Sequence, residues 1–416
     1  MPTKARADDD SYTLPPFAIG AAGVSRNCAL RCHVRLAVTI AMTASGLCAA
    51  AGLDGAVASM VLQADGRILV GGGFTHAGSV ARDNLVRLWP DGSVDLGFVP
   101  RSGPAAYFNS IAVQADGKVI TSGTLHVGSS YEPHLLRLLP NGTVEAGFAD
   151  ISGNGAAEAI VVQSDGKIVI GGDFEFIGGT PHNRAGRINA DGSVDATFDP
   201  NFARGNTGAV WTIQQAAGGK LFFGGEFPNV NATSVFGLTR LDANGSIDPA
   251  FAWNAANNNN VVYAISPQPD GKILVGGGFA LLDVAGSVTL ARLNPDGSTD
   301  SAFSANATSA NLLGVYSMAL LADGKILIGG FHGQGSLDNV QRVNADGTLD
   351  VSFHPAVNNQ VARLVVTPAG KILIGGYFTQ VNGTPHAYLS RLNADGSTDE
   401  SFVVNSDDAI FGNGFD

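Results

Sequence analysis

From Gly55 to Phe402 the apolar and polar positions follow one order that recurs. An apolar run of four to six residues meets Asp-Gly, a second apolar run ends in Gly-Gly, and a variable stretch follows. A third apolar run then meets another Asp-Gly or Asn-Gly, and a phenylalanine closes the unit. Ala159 to Phe198 shows it plainly: A-I-V-V-Q-S-D-G-K-I-V-I-G-G-D-F, a loop, then G-R-I-N-A-D-G-S-V-D-A-T-F. The first-turn glycines are Gly66, Gly117, Gly166, Gly219, Gly271, Gly324 and Gly370. The closing residues are Phe98, Phe148, Phe198, Phe251, Phe303, Phe353 and Phe402. Seven copies at a period of about 50 residues signal a solenoid, propeller or array.

Short β-branched and aliphatic runs bounded by Asp-Gly or Asn-Gly read as hairpin strands, so each unit holds two hairpins and four strands. Pro90, Pro140 and Pro295 stand directly before Asp/Asn-Gly, which fits a type I turn, a left-handed glycine and a bulge. The second strand is apolar without alternation, as in Ile168-Val169-Ile170 and Ile372-Leu373-Ile374. Such a strand is covered on both faces. Radial stacking of four-stranded sheets supplies that cover, since every blade lies between two others. The fold expected is therefore all-β, a seven-bladed β-propeller of four-stranded antiparallel blades. Gly-Gly at the end of the second strand marks close approach of backbones.

The repeat leaves no room for a second folded domain. The expected division is 1–51 as N-terminal extension and signal peptide, 52–403 as propeller and 404–416 as a C-terminal tail. Arg31 and Arg35, the uncharged stretch Leu36 to Leu47 and Cys48-Ala49-Ala50-Ala51-Gly52 have the form of a secretory signal. With Cys28, Cys32 and Cys48 all in that segment, the mature chain is expected to have no cysteine and no integral membrane segment. Gly at 55 residues and charged residues at 14% suit a turn-dense β protein. A net charge of −12 argues against nucleic acid as partner.

The nearest approach to metal chemistry is Arg187-x-Asn189-x-Asp191-Gly192-Ser193-x-Asp195, close to a calcium loop but with arginine at the first ligand position and Phe198 at the twelfth. Arg87, Arg137, Arg187, Arg240, Arg292, Arg342 and Arg391 hold that position in every copy. A guanidinium repels a cation and bonds a carboxylate bidentately. The arginines are read as ties within each blade to Asp95, Asp195, Asp248, Asp300, Asp350 and Asp399, and no metal or cofactor is expected.

Catalytic motifs such as H-E-x-x-H and G-x-S-x-G are absent from the sequence. Asp173 and Glu226 follow Gly-Gly in adjacent units, with His182 close by, and paired carboxylates are what general acid and base work requires. Tyr107, Phe108, Tyr131, Trp211, Trp253, Tyr263 and Tyr316 are suited to stacking on sugars or to packing between blades. Asp173, Glu226, His182 and Trp253 are the candidate binding residues. In a propeller both hairpin turns fall on one face, so the variable connections Thr75 to Asn84, Pro228 to Gly237, Ala280 to Thr289 and Gln380 to Tyr388 are expected to form a binding face opposite.

Assembled, Q-x-D-G-K-I-L-V-G-G-x-F and L-x-R-L-N-x-D-G-S-x-D-x-x-F resemble the delta-60 repeat of bacterial secreted and cell-surface β-propellers, over Gly55 to Phe402. The resemblance implies a propeller and export, to the periplasm, cell surface or medium of a bacterium, and implies no activity. Departures are local: Gly218-Gly219 and Ala369-Gly370 replace Asp-Gly, and Ser122-Gly123 replaces Gly-Gly. The expected function is a monomeric, non-enzymatic binding or adhesion scaffold for a protein or glycan. A carbohydrate-active hydrolase or lyase using Asp173 and Glu226 is the alternative.

Overall fold

Each apolar run becomes a strand, because the Asp-Gly turns return the chain before a run is long enough for anything else. In the computed structural model, the described residues are 52–100, 105–127, 130–152, 155–203, 208–253, 255–256, 260–308 and 314–405. The expected signal segment with its three cysteines, and the residues from Asp407 on, lie outside them. The inner strands are Val57–Leu62, Ala105–Val113, Ala157–Val162, Val210–Gln215, Val261–Pro267, Gly314–Leu320 and Val361–Val366. Each pairs antiparallel with its second strand, and that strand with a third, as in Ala157–Val162, Ile168–Gly172 and Ala185–Ile188. The fourth strand is short and joins the third at bridges such as Leu88 with Val94 and Ile188 with Val194. It ends early because the carboxylate at its centre turns the chain: Asp195 Oδ1 accepts the Thr197 amide at 3.0 Å and the Asp195 carbonyl accepts the Phe198 amide at 3.2 Å. That turn drives the closing phenylalanine inward, where Phe198 is fully buried.

Two devices recur in every blade: the glycine closing the second strand, which the sequence marks as a close approach of backbones, and a bulge that the sequence does not show. The inner strand carries a β-bulge near its start, between Val57 and Ser59 in the first blade and at the matching place in the other six. Opposite it lies the second glycine of the pair. A Cβ on Gly172 would stand 1.9 Å from the Ala156 carbonyl oxygen, and one on Gly277 2.0 Å from that of Val261. The bulge pushes its carbonyl into the space a side chain would need. The first glycine instead faces the next blade, where a Cβ on Gly171 would meet Val210 at 2.5 Å.

The ring closes through contact and through chain. The inner strand of the seventh blade lies against that of the first, and a Cβ on Gly375 would meet Val57 at 2.6 Å. Among the described residues no strand is exchanged between the ends, but residues 403–405 dock on the first blade. The Val403 amide donates to Asp91 at 3.1 Å, the Gly52 amide to Val404 at 3.0 Å and the Val94 amide to Asn405 at 3.0 Å. Val404 is 4% exposed within the first blade's core, which moves the start of the tail beyond the expected 404. The same docking links the blades in mid-chain, as when the Ala149 amide donates to Gly192 of the following blade at 3.0 Å.

The seven arginines tie more than their own blades. Arg187 Nε donates to Asp195 Oδ2 at 2.7 Å, while its Nη1 donates to the carbonyl of Ala243 in the next blade at 2.7 Å. The carbonyls of Pro140, Ala190, Pro295, Ala345, Ala394 and Pro90 receive the others, the last from Arg391 across the closure. The bidentate, purely internal tie expected from sequence is thus corrected: one nitrogen serves the carboxylate because another crosses the blade boundary. In the second blade the carboxylate is Glu145, bound by Arg137 at 2.7 Å. Each guanidinium also covers the closing ring, with Arg187 4.6 Å from the centroid of Phe198. Lysine from the first turn completes the cluster, Lys167 Nζ donating to Asp195 Oδ2 at 2.7 Å. Burial alone would raise the Asp248 carboxyl, but Lys220, the Ala250 amide and Arg240 hold it down at about 2. Arg187→Leu leaves the buried Asp195 with Lys167 as its one cationic partner, and it is expected to lower the unfolding free energy by about 3 kcal/mol in a denaturant titration. A loss within experimental error would show the tie to be idle.

The variable connections do not form a face. His76–Ala77 with Val80–Ala81, Phe176–Ile177 with Thr180–Pro181, Asn229–Val230 with Thr233–Ser234 and Gln380–Val381 with Thr384–Pro385 are small hairpins. They fold back along the outer edge. Asn382 Nδ2, at one hairpin tip, reaches the Gly396 carbonyl in the second turn of its own blade at 3.1 Å. The chain leading into each blade pairs on their other side, Leu53 with Ala77, Phe202 with Val230 and Val357 with Val381. In the fifth blade Ala280 to Thr289 falls within the long strands Ile273–Leu281 and Val284–Leu293. The expectation of a loop-built binding face is therefore corrected. These segments cover the blade edge that the short fourth strand leaves open.

Candidate functional site

With the loops committed to the rim, side-chain variety is concentrated in the central channel. The inner-strand position before the bulge is nearly constant in character: Val57, Phe108, Ala157, Val210, Val262, Val315 and Val361, all fully buried between blades. The bulged position itself reads Ala58, Asn109, Glu158, Trp211, Tyr263, Tyr316 and Ala362 around the ring. A bulge re-aims a side chain, and here it turns this one residue per blade onto the channel. The channel holds a cavity of about 230 Å³.

The belt has three sectors. In blades four to six Trp211, Tyr263 and Tyr316 form an aromatic arc, with centroids 6.2 and 4.9 Å apart and planes inclined at 51° and 39°. In blades two and three Asn109 Nδ2 donates to Glu158 Oε1 at 2.7 Å. Blades seven and one contribute only alanine, and Arg363, one residue beyond the bulge, fills the gap with its Nη1 on the Ala362 carbonyl at 2.9 Å. Tyr107 lies over Gly73 of the first blade, and its hydroxyl meets that of Tyr377 in the seventh at 2.9 Å.

Electrostatics set this end of the channel apart. Burial, with the neighbouring Asp173 charge, pushes the Glu158 carboxyl up to about 7, against the opposing pull of Asn109 and Arg363. Burial and the nearby Tyr316 and Glu226 raise Tyr263 to about 12. Three carboxylates, Glu158, Asp173 and Glu226, thus share the channel end with one guanidinium, that of Arg363. The Trp211 Nε1 hydrogen is buried and has no acceptor among the described residues.

A family described as "Domain of unknown function (DUF5122) beta-propeller" matches seven segments: 63–98, 114–148, 163–198, 219–251, 268–303, 321–353 and 368–402. The chain belongs to the DUF5122 beta-propeller family. Every bulged residue of this DUF5122 propeller falls outside the matched segments, so the shared pattern describes the ring and stops short of the belt. No curated protein matches the chain. Among solved structures it is similar to the WD40 propeller domain of Doa1, at 12% identity and TM-score 0.45 over 79% of this chain and 93% of that one. It is also similar to PorZ, a surface component of the type IX secretion system of Porphyromonas gingivalis, at 13% and 0.42 over 82% and 47%. A third is a gluconolactonase of Xanthomonas campestris, at 14% and 0.37 over 78% and 84%. At this level of similarity they say nothing about activity.

The DUF5122 propeller brings together some of the residues singled out in its sequence and separates others. Asp173 and Glu226 are both at the channel end, Asp173 tucked against Gly155, where a Cβ would meet its Oδ1 at 1.7 Å. His182 is not with them. It is 3% exposed in the outer part of its blade, its Nδ1 3.0 Å from Asp199 Oδ1, because its backbone belongs to the hairpin that folds over the rim. Trp253 is also removed from the channel: its Nε1 donates to the Val235 carbonyl at 2.8 Å and its ring packs edge-on against Phe279. Phe108 is buried between blades, and the side chain of Tyr131 lies outside the described residues. Sequence reading missed Glu158, Arg363, Asn109 and Tyr377. The signal for the first two was a charge inside an otherwise apolar strand, A-E-A-I-V-V and V-A-R-L-V-V. Among the described residues no His, Cys, Asp and Glu cluster is arranged to hold a metal. No helix among them is long and apolar enough to cross a membrane.

Proposed function

We propose that the protein is a non-enzymatic binding or adhesion scaffold, exported from the cell, that engages a protein or glycan at the belt end of its channel. The observation that carries this reading is the contrast between a ring repeated seven times and one inward position per blade that differs among five residue types. A rigid frame with variation confined to one concavity is how binding sites are built on repeat scaffolds. The acidity of the chain favours partners with basic or neutral surfaces. The delta-60 reading of the repeat, and the export it implies, belong to the same proposal.

A second reading, a carbohydrate-active enzyme, is favoured by the Glu158 carboxyl. An acid near neutrality beside the second carboxylate of Asp173 is suited to proton donation. Incubation of the wild type with an array of glycans and with candidate protein partners separates the two. Capture without turnover is the expected result. Release of cleaved product, lost in Glu158→Gln or Glu226→Gln, would overturn the scaffold in favour of the enzyme.

A further inference from the structure

We propose that the belt is a cage for an alkylammonium group, the side chain of a lysine or the amino terminus of a peptide, held between the arc of Trp211, Tyr263 and Tyr316 and the carboxylate of Glu158. The proposal rests on the scaffold reading above and specifies its ligand.

Shape argues for a cation over a sugar. A pyranose face stacks on one flat ring, whereas these rings are inclined to one another at 51° and 39° and enclose a concave space. A compact cation is attracted to several ring faces at once, each within about 6 Å of its centre. Charge argues the same way, since Glu158, Asp173 and Glu226 outnumber the guanidinium of Arg363 at this end of the channel. An ammonium also supplies donors to Glu158, which among the described residues accepts only from Asn109. The remaining buried donor, Trp211 Nε1, needs an acceptor that a peptide carbonyl next to the amine provides. The cavity of about 230 Å³ that Glu158, Trp211, Tyr263 and Tyr316 help to line accommodates a narrow alkyl chain.

Glu158 couples binding to pH. The groups acting on it are Asp173, which disfavours its charge, and Arg363 and Asn109, which favour it. Its carboxyl is raised, so near neutrality it is only partly ionised. An ammonium placed beside it draws off the proton, and affinity is expected to rise as pH goes from about 6 to about 8. The lysine amine, at about 10.4, stays charged through that window, so for it the sign is set by Glu158; a terminal α-amine, at about 7.7–8.0, loses its own charge there and is expected to show a maximum instead.

The test is calorimetric titration of the whole chain with three acetylated or amidated tripeptides. Acetyl-Gly-Lys-Gly-amide presents a side-chain ammonium, its Nε-acetyl form presents none, and Gly-Gly-Gly-amide presents only a terminal one. The expected result is saturable binding of one or both amines, which also tells the two sources apart, and none of the Nε-acetyl peptide. Trp211→Ala and Glu158→Gln are each expected to weaken binding about tenfold. Alanine stands at the bulged position of blades one and seven, so Trp211→Ala installs a residue the ring already accepts there; circular dichroism checks that it folds. Equal binding of the Nε-acetyl peptide, absence of binding by both amines, or unchanged affinity in the folded variants would overturn the cage. A glycan or protein captured equally well by Trp211→Ala would overturn it too while leaving the scaffold reading standing, whereas turnover would remove the scaffold reading itself.

Discussion

Gly277→Ala is expected to destabilise the ring by at least about 3 kcal/mol, while Gly278→Ala, one residue further along the same strand, changes stability by no more than about 0.5 kcal/mol. The two glycines differ only in what lies above them. A Cβ on Gly277 would stand 2.0 Å from the Val261 carbonyl oxygen, a backbone atom that no rotamer change can move, whereas one on Gly278 meets nothing within 4 Å. Neither residue has a positive φ, so the contrast is one of space and not of backbone conformation. To admit the methyl group the inner strand must give up its bulge, and the bulge is what turns Tyr263 into the channel. Denaturant titrations of the two variants side by side read the difference. Equal midpoints would mean that the bulge is dispensable to the fold.

That pair of glycines shows where sequence reading succeeds and where it stops. The seven units, the strand pairs, the Asp-Gly turns and the ring of arginines were all legible, because each is dictated by residue types at fixed spacing. Gly92, for example, has φ of 97° and closes the turn from the Trp89 carbonyl, as Pro-Asp-Gly implied. The bulge was not legible. It is a matter of register, one extra residue on one strand, and an apolar run looks the same with or without it. Consequently Trp211, Tyr263 and Tyr316 were recognised as aromatics without a direction, and Glu158 and Arg363, at the start of their apolar runs, were passed over. The rim hairpins failed for another reason. Thr75 to Asn84 and Gln380 to Tyr388 have loop composition, and only contacts distant in sequence, such as Asn382 with Gly396 and Leu53 with Ala77, show that they return along the blade edge. His182 and Trp253 are held outward by the rim hairpins of the third and fourth blades, Phe176–Ile177 with Thr180–Pro181 and Asn229–Val230 with Thr233–Ser234.

The ring and the belt are built by different residues, and this is the claim most open to experiment. The blades are held together by arginine ties, docked segments such as Val403 to Asn405, and apolar faces that meet at Val57, Val210 and Val361. The belt contributes ring contacts of about 1 kcal/mol each, which a closed seven-bladed frame can lose without unfolding. The proposed binding, in contrast, rests on the belt alone. A variant carrying alanine at Asn109, Glu158, Trp211, Tyr263 and Tyr316 repeats around the whole channel the residue that Ala58 and Ala362 already place there. Titration of acetyl-Gly-Lys-Gly-amide into this variant, with circular dichroism on the same sample, tests the separation in one measurement. A folded β protein with no detectable binding is the predicted result; a folded variant that binds like the wild type, or a chain that no longer folds, would contradict it.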